Sequence, residues 1–175
     1  MNASTQNTLN FLSKLTIRRV WNMGLVYLSF YITKYWKKPV QLGSPFSISF
    51  EPTTSCNLRC PECPSGLRSF TRPIGMLEPG FFRKTIDELS KELIYLTFYF
   101  QGEPYLNKNF LEMVSYAKKK KIYTATSTNA HYLTDAVSRQ TIESGLDRLI
   151  ISIDGTTQET YQSYRVGGQL DKVIE

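Results

Sequence analysis

The chain has 175 residues, of which 41% are hydrophobic and 13% aromatic, and this composition is that of a folded domain with a buried core. Its formal net charge of +6 arises within residues 1–50, which carry six basic and no acidic side chains, whereas the rest of the chain is neutral. No stripe of basic residues interleaved with aromatics follows residue 45, so we predict no nucleic-acid partner.

Residues 1–45 are predicted to form a basic, aromatic-rich helical extension. Their uncharged, mostly apolar stretch at 20–33 is 14 residues long, which falls short of the roughly 18–20 residues that span a bilayer. No small-residue cleavage site of a signal peptide follows it, which favours a cytoplasmic protein. We favour a helix that packs on the domain with its aromatic side chains buried. A helix that makes weak contact with a membrane surface or a partner is the alternative.

From residue 46 onwards, strand-like and helix-like segments alternate. Strands are predicted at residues 46–52, 94–100, 122–128 and 147–155. Helices are predicted at residues 78–93, 107–121 and 135–145, and a partly helical segment at 157–175. Because such alternation builds right-handed βαβ units, it predicts an α/β fold with a parallel sheet.

The predicted second strand has one apolar and one more polar face. The apolar face carries Ile94, Leu96, Phe98 and Phe100, and the other face carries Tyr95, Thr97, Tyr99 and Gln101. A parallel sheet covered by helices on both faces is apolar throughout. The asymmetry therefore predicts a barrel or half-barrel with a polar ligand at its C-terminal rim. We expect the aromatic residues at 95, 98, 99 and 100 to pack within the sheet, and contact with a substrate is the alternative for Tyr95 and Tyr99 on the lumen face.

All three cysteines lie in the loop after the first predicted strand, at Cys56, Cys60 and Cys63. A disulfide would leave one cysteine over, and a CxxC redox pair of the last two would leave Cys56 unexplained. A zinc site normally has four ligands, and the only histidine, His131, lies on another predicted loop. An iron–sulfur cluster with one open iron accounts for all three, since electron-transfer clusters normally have four protein thiolates.

This CxxxCxxC loop, placed after the first strand of a βα barrel, resembles that of the radical S-adenosylmethionine (SAM) superfamily. The resemblance implies a 4Fe–4S cluster in which Cys56, Cys60 and Cys63 each hold one iron, while the amino and carboxylate groups of SAM bind the fourth. It further implies that one electron from the reduced cluster cleaves SAM to a 5′-deoxyadenosyl radical, which abstracts a hydrogen atom from a substrate.

The segment 100–104, FQGEP, resembles the Gly-Gly-Glu motif that ends the second strand in this family. The resemblance implies that Glu103 accepts from the amino group of SAM and that Gly102 allows a close backbone approach. Gln101 replaces the first glycine of the motif. Glu62 is a second departure, because the residue before the last cysteine is usually aromatic and lies near the adenine. The adenine contact must therefore be made differently in this chain.

Two further segments complete the resemblance. Residues 127–133, STNAHYL, resemble the Thr-Asn-Gly segment of the third strand, with Ala130 in place of the glycine. Residues 151–168 resemble the fourth-strand segment of the branch that carries a C-terminal SPASM-type cluster domain. These segments supply the remaining candidates for SAM binding: Ser127, Asn129, Ser152, Asp154 and Arg165. Purely structural roles stay open for the last four: a turn for the asparagine, a helix cap for the serine and the aspartate, and a surface ion pair for the arginine.

The resemblance covers about residues 46–175 and implies the N-terminal part of a radical SAM core barrel. The family's barrel has six βα units, of which about four are predicted here, so we expect a truncated, partial (β/α) barrel without the SPASM-type domain. The implied enzyme takes electrons from a reductant such as a flavodoxin or ferredoxin, and a peptide is one candidate substrate. The competing hypothesis is a non-enzymatic iron–sulfur module for electron transfer or for sensing redox state or iron.

Overall fold

The computed structural model describes residues 2–175 and confirms the predicted α/β fold with its N-terminal helical segment. Two helices come first: α1 (Ala3–Leu12) and α2 (Ile17–Trp36). The strands are β1 (Ser47–Ser49), β2 (Tyr95–Thr97), β3 (Tyr123–Thr128) and β4 (Arg148–Ile151). The other helices are α3 (Pro64–Leu67), α4 (Pro79–Leu89), α5 (Phe110–Lys119), α6 (Asp135–Ser144), α7 (Gln158–Tyr164) and α8 (Asp171–Ile174), and a 3₁₀ turn spans Pro104–Leu106.

The four strands form one parallel sheet in the order β1-β2-β3-β4. Each pair of neighbouring strands is joined by a crossover that contains a helix: α4, then α5, then α6. Because parallel strands joined in this way all end at the same edge of the sheet, the four loops that follow them meet at one rim. These are the four βα units that the sequence predicts.

Helix ends coincide with capping residues that the sequence supplies. The side chain of Glu78 accepts from the N–H of Phe81 at the start of α4, and the side chain of Thr134 accepts from the N–H of Val137 at the start of α6. Helix α6 ends at Ser144 and is capped by Gly145, the predicted end of this helix, because the φ of Gly145, 77°, lies in the left-handed region that glycine adopts freely.

One face of the sheet carries the hydrophobic core. Leu96 and Phe98 are fully buried there against Phe82 and Ile86 of α4 and against the apolar side of α5. The rings of Phe82 and Phe98 lie 5.5 Å apart between centroids. Phe100 departs from the predicted alternation and is 77% exposed, because the chain has already left the strand before it reaches this residue.

The opposite face is closed at the N-terminal end of the strands by α1. Tyr95 and Tyr123 stack with ring centroids 5.2 Å apart, and Phe11 of α1 lies 6.3 and 5.5 Å from them. Tyr95 therefore belongs to an aromatic cluster at the end of the sheet remote from the rim. This position agrees with the packing role predicted for Tyr95, whereas Tyr99 lies at the rim itself.

Arg19 joins α2 to the domain. Its buried guanidinium donates to four backbone carbonyls: those of Lys14, Lys121, Ser90 and Lys120, at 2.7, 2.5, 2.8 and 3.0 Å. Ser90 and Lys120 are the C-terminal caps of α4 and α5, where carbonyl groups lack helical partners and the helix dipole favours a cation. The polar face of α2 is therefore the one that packs on the domain.

The aromatic side chains of α2 are not buried, contrary to the interpretation that we favoured from the sequence. Trp21, Tyr31 and Tyr35 are 70%, 51% and 74% exposed. They point outwards because Arg19 and Asn22 occupy the inner side of the helix, where both are buried. Among the described residues, no helix is long and apolar enough to cross a membrane.

Candidate functional site

A cavity of about 210 Å³ opens at the rim where the four strands end. Its walls come from the loop after each strand and from the end of α7. Nine of the ten predicted site residues line it: Cys56, Cys60, Cys63, Gly102, Glu103, Ser127, Asn129, Ser152 and Arg165. Asp154 is not among the lining residues. The fold thus brings together segments that are far apart in the sequence.

The cysteine loop is held by a turn and by one apolar anchor. Leu58 is buried, the N–H of Cys63 donates to the carbonyl of Cys60 at 3.2 Å, and Pro64 begins α3 immediately afterwards. All three cysteines are free thiols; Cys60 is buried and the other two are half-buried.

Nitrogen donors approach two of the three sulfurs. Nη1 of Arg165 lies 3.9 Å from Sγ of Cys60, and Nδ2 of Asn129 lies 3.8 Å from Sγ of Cys56. Burial raises the pKa of both thiols, and the positive charge of Arg165 opposes this rise at Cys60. The protonated thiols are therefore favoured in the cofactor-free chain, and metal binding must release their protons.

Glu103 is a buried carboxylate held by three protein donors. Its Oε1 accepts from the Thr128 hydroxyl at 2.7 Å and from the N–H of Tyr105 at 3.3 Å, and its Oε2 accepts from the N–H of Asn129 at 2.9 Å. Burial raises the pKa of Glu103, while these hydrogen bonds oppose the rise. A carboxylate offers about four lone-pair positions. One position on Oε2 therefore remains for a further donor such as an ammonium group.

Gly102 allows a close backbone approach, but the approach is to the cysteine loop. Its φ is +79°, and a Cβ at this position would lie 2.0 Å from the carbonyl oxygen of Thr53. The N–H of Gly102 donates to Oγ of Ser65 at 2.9 Å, and the next N–H, of Glu103, donates to the carbonyl of Ser55 at 2.8 Å. The glycine thus fastens the loop after β2 to the loop that carries the cysteines.

Gly102→Ala is expected to lower the free energy of unfolding by about 2–4 kcal/mol, because alanine is strained at positive φ and its Cβ overlaps a backbone oxygen. Urea denaturation measures this. Gly167→Ala is the matched control, since Gly167 has a φ of +86° with open space around it; it should lose only about 1–2 kcal/mol. Equal losses in the two variants would show that the approach to Thr53 contributes nothing.

Contacts of the segment after β4 distinguish between the structural roles that the sequence left open for Ser152, Asp154 and Arg165. Oγ of Ser127 and Oγ of Ser152 lie 3.0 Å apart at the cavity wall. Thr157 caps α7, so the alternative of a capping role is wrong for both Ser152 and Asp154. Asp154 accepts from Nε of Arg165 at 2.5 Å. Asp154 therefore orients the arginine from outside the cavity.

Asn129 combines a turn with a contact in the cavity. Its Oδ1 accepts from the N–H of His131 at 3.1 Å, and its Nδ2 donates to Oδ1 of Asn57 at 2.8 Å. His131 is no free ligand, because its Nε2 accepts from the N–H of Gln169 at 2.8 Å and its Nδ1 lies 3.0 Å from the carbonyl of Asn129. Within residues 2–175, no group of three or more His, Cys, Asp or Glu side chains is arranged to hold a metal ion.

The segments that line this cavity coincide with the extent of a known family. A sequence model described as the radical SAM superfamily matches residues 50–175. The chain belongs to the radical SAM superfamily. Radical SAM proteins use a 4Fe–4S cluster and S-adenosylmethionine, the two cofactors that the sequence predicts.

Individual radical SAM proteins match at moderate identity. The chain is 30% identical over 133 residues to the mycofactocin maturase MftC of Mycobacterium tuberculosis (strain CDC 1551 / Oshkosh). This alignment covers 76% of this chain and 34% of that protein. It is 29% identical over 126 residues to the AdoMet-dependent heme synthase of Methanosarcina barkeri (strain Fusaro / DSM 804). This second alignment covers 70% of this chain and 35% of the heme synthase. The chain therefore spans about a third of the length of these curated relatives.

A solved structure shares the fold. Streptococcus suis SuiB bound to the precursor peptide SuiA superposes with a TM-score of 0.62 at 15% sequence identity. The superposition covers 85% of this chain and 32% of SuiB. At this identity the likeness shows a common radical SAM fold.

The donor set fits a radical SAM cluster better than a single metal ion. In such a cluster each thiolate holds a different iron, so the three sulfurs need to surround one cavity and need not converge on a point. Cys56, Cys60 and Cys63 line the same cavity as free thiols, and the sequence contains no fourth cysteine. The residues present therefore fit a three-thiolate cluster with one open iron.

Three polar residues of the cavity wall were not predicted as contributors: Gln101, Ser65 and Thr128, the last of which donates to Glu103. Oε1 of Gln101 lies 3.5 Å from Sγ of Cys63 and accepts from the hydroxyl of Ser65 at 3.1 Å. The signal was the departure from the radical SAM motif at Gln101, because a side chain in place of a glycine must occupy space beside the cysteines. Nothing in the local pattern indicated Ser65.

Aromatic side chains line the cavity from other positions than the usual one. Glu62 is exposed, but Tyr99, Phe100 and Tyr164 are among the lining residues. These three side chains give the cavity wall an aromatic surface.

Proposed function

We propose that residues 46–175 form the N-terminal part of the core barrel of a radical SAM enzyme, and that residues 1–45 are a helical extension of it. One observation carries this proposal: three free thiols, a buried carboxylate and a guanidinium line one cavity at the C-terminal rim of a parallel sheet. When bound, the cluster and SAM supply a 5′-deoxyadenosyl radical that abstracts a hydrogen atom from a substrate.

Each proposed role uses a side-chain group that still has a free position for a metal ligand bond or a hydrogen bond. The thiolates of Cys56, Cys60 and Cys63 hold one iron each. Glu103 accepts an N–H of the SAM amino group at its remaining Oε2 position, next to the bond from Asn129. Within the described chain Arg165 uses Nε and Nη1 for Asp154 and Cys60, so Nη2 can donate to SAM. Ser127, Asn129 and Ser152 complete the wall around SAM, and Asp154 orients Arg165.

The partners follow from the chemistry and from the relatives. A reductant such as a flavodoxin or ferredoxin must deliver the electron. A peptide or protein substrate is supported by two similar proteins, the mycofactocin maturase MftC and SuiB, whose structure contains the precursor peptide SuiA. Three free thiols are typical of a reducing compartment, which supports a cytoplasmic location. We further propose contact between residues 1–45 and a membrane surface.

The test is the effect of SAM on the reduced cluster. Electron paramagnetic resonance of the anaerobically reconstituted, reduced chain should change when SAM is added, because the open iron gains the amino and carboxylate groups as ligands. 5′-Methylthioadenosine lacks both groups and should leave the spectrum unchanged. A spectrum that SAM does not alter would favour the electron-transfer or sensing module instead.

Arg165→Ala is expected to keep the cluster and to weaken SAM binding by about 10- to 100-fold, since it removes a charge-assisted hydrogen bond worth roughly 1.5–3 kcal/mol. Titration of the reduced cluster with SAM measures the affinity. Arg139→Ala is the matched control, because this exposed arginine of α6 carries the same charge away from the cavity. Equal SAM affinities in the two variants would contradict the assignment of Arg165.

A further inference from the structure

Helix α2 has the reverse of the usual polarity of a surface helix. Its inner side is polar: Arg19 donates to backbone carbonyls, Asn22 bonds both backbone groups of Ser44, and Oγ of Ser29 accepts from the N–H of Leu42 at 2.8 Å. A surface helix normally places apolar residues on this side and polar residues on the other. Apolar residues on the opposite side of α2 therefore face away from the domain.

The outer side of α2 is an apolar and aromatic surface, which we call the outward stripe. It consists of Ile17, Val20, Trp21, Leu28, Tyr31 and Tyr35, which are between 45% and 92% exposed. Their spacing repeats every three, four or seven residues and keeps them on one side of the helix. A groove of about 580 Å³ runs along the stripe between residues 15 and 28, and Thr16 is the only polar residue that lines it.

The charges around the stripe are positive. Residues 1–50 contain no acidic side chain. Within this part of the chain, Lys14 pairs with Asp147 and Arg18 with Glu92, so the fold uses these two cations. The remaining lysines, Lys34, Lys37 and Lys38, are exposed at the C-terminal end of α2 and form no ion pair within residues 2–175.

We propose that α2 lies in the surface of an anionic lipid bilayer, with the outward stripe in the boundary between headgroups and acyl chains. Tryptophan and tyrosine prefer this boundary, and exposed lysines bind anionic headgroups. The absence of acidic residues makes the charge of the surface complementary to such lipids, whereas a second copy of the chain would present the same positive charge. The proposal sharpens the membrane contact of residues 1–45 and is independent of the cofactors.

The chain carries its own probe for this contact. Its only two tryptophans, Trp21 and Trp36, both lie in α2 and are each 70% exposed. Vesicles of phosphatidylcholine with phosphatidylserine should shift the tryptophan emission of the 175-residue chain to shorter wavelength and carry the chain upwards in flotation. Three lysines near the surface should make partitioning about 100-fold stronger than into pure phosphatidylcholine at low salt, and added salt should reduce this preference.

Two sets of variants separate the contribution of the outward stripe to vesicle binding from the contribution of the lysines. Trp21→Gln with Leu28→Gln should reduce vesicle binding about 10-fold or more, because both side chains lose apolar area that the membrane would cover. Ile142→Gln is the matched control on α6, where Ile142 is 79% exposed. Lys37→Gln with Lys38→Gln should lower the preference for anionic vesicles about 25-fold. Circular dichroism checks that all variants stay folded.

Three results would overturn the proposal. The first is an emission spectrum that neither type of vesicle shifts. The second is an equal loss of binding in the Ile142→Gln control. The third is a dimer in analytical ultracentrifugation that the Trp21→Gln, Leu28→Gln variant abolishes while vesicles bind neither protein, since this would identify the occupant of the stripe as a second copy of the chain. SAM-dependent spectra test the cofactor site separately, so either proposal can fail alone.

Discussion

Replacing any one of Cys56, Cys60 and Cys63 by alanine is expected to abolish assembly of the 4Fe–4S cluster. Each thiolate supplies a third of the protein ligands, and the sequence contains no other cysteine. The oxygen and nitrogen groups that line the same cavity are harder ligands than thiolate, which clusters of this kind require. Iron and sulfide analysis after anaerobic reconstitution measures the loss, together with the visible absorption of the cluster.

Ser127→Ala is the control for the cysteine variants, because Ser127 lines the same cavity without being a proposed ligand. Its iron content should equal that of the unmodified chain. Full iron content in any one cysteine variant would contradict the three-thiolate assignment. Stoichiometric zinc without iron in chain purified free of oxygen would contradict the cluster itself.

Glu103→Ala is expected to lower both stability and SAM affinity. It leaves three donors, on Thr128, Asn129 and Tyr105, without their carboxylate acceptor. Relief from burying a charge offsets part of the loss, so we expect the free energy of unfolding to fall by about 2–4 kcal/mol. Urea denaturation of the cofactor-free chain measures this, and SAM affinity should fall on the order of 10- to 100-fold.

Glu143→Ala is the control for stability, because Glu143 is an exposed glutamate of α6. It should change the free energy of unfolding by less than about 0.5 kcal/mol. A Glu103→Ala chain that is as stable as this control would show that the carboxylate does not hold the ends of β2 and β3 together. Reduced stability with unchanged SAM affinity would leave Glu103 a structural role alone.

The raised pKa of Glu103 also predicts the direction of a pH effect. A carboxyl group with a higher pKa in the folded state binds its proton more tightly there, so its stabilising contribution is complete below its ordinary pKa of 4.5. That contribution is lost as the pH rises through the folded value. In Glu103→Gln, the free energy of unfolding should therefore fall less steeply with rising pH above about 4.5 than in the unmodified chain.

Denaturation curves at several pH values, recorded for both proteins without cofactors, measure this difference. Parallel dependences would show that Glu103 does not titrate with a raised pKa. An N–H of the SAM amino group beside Oε2 favours the charged carboxylate, so SAM should bind more tightly as the pH rises through the same range.

Much of the fold and of the candidate site could be predicted from the sequence, because the signals are local. Alternating faces in 94–98 and helical spacing in 78–93 identify strand and helix without reference to distant residues. Parallel strands end at one rim, so the position of a motif directly after a strand already places Cys60 and Glu103 near each other. Prediction from local pattern fails at Phe100, because the alternating pattern continues in the sequence after the strand itself has ended.

The features of the candidate site that the sequence did not predict depend on contacts between segments that lie far apart in the chain. The sequence indicates that Gly102 needs room, but only the packed loops show that Thr53 occupies it. Nothing local separates Asp154, which stays outside the cavity and orients Arg165, from Ser152, which lines it.

The orientation of α2 depends most strongly on tertiary structure. The sequence by itself determined that residues 20–33 form an uncharged apolar stretch too short to span a bilayer, because length and composition are properties of the segment alone. Which side faces outwards depends on Arg19, whose acceptors at Ser90 and Lys121 lie 71 and 102 residues away. Only folding brings these helix ends to one place, and their unpaired carbonyls then bind the polar side of α2 and leave its aromatic side exposed.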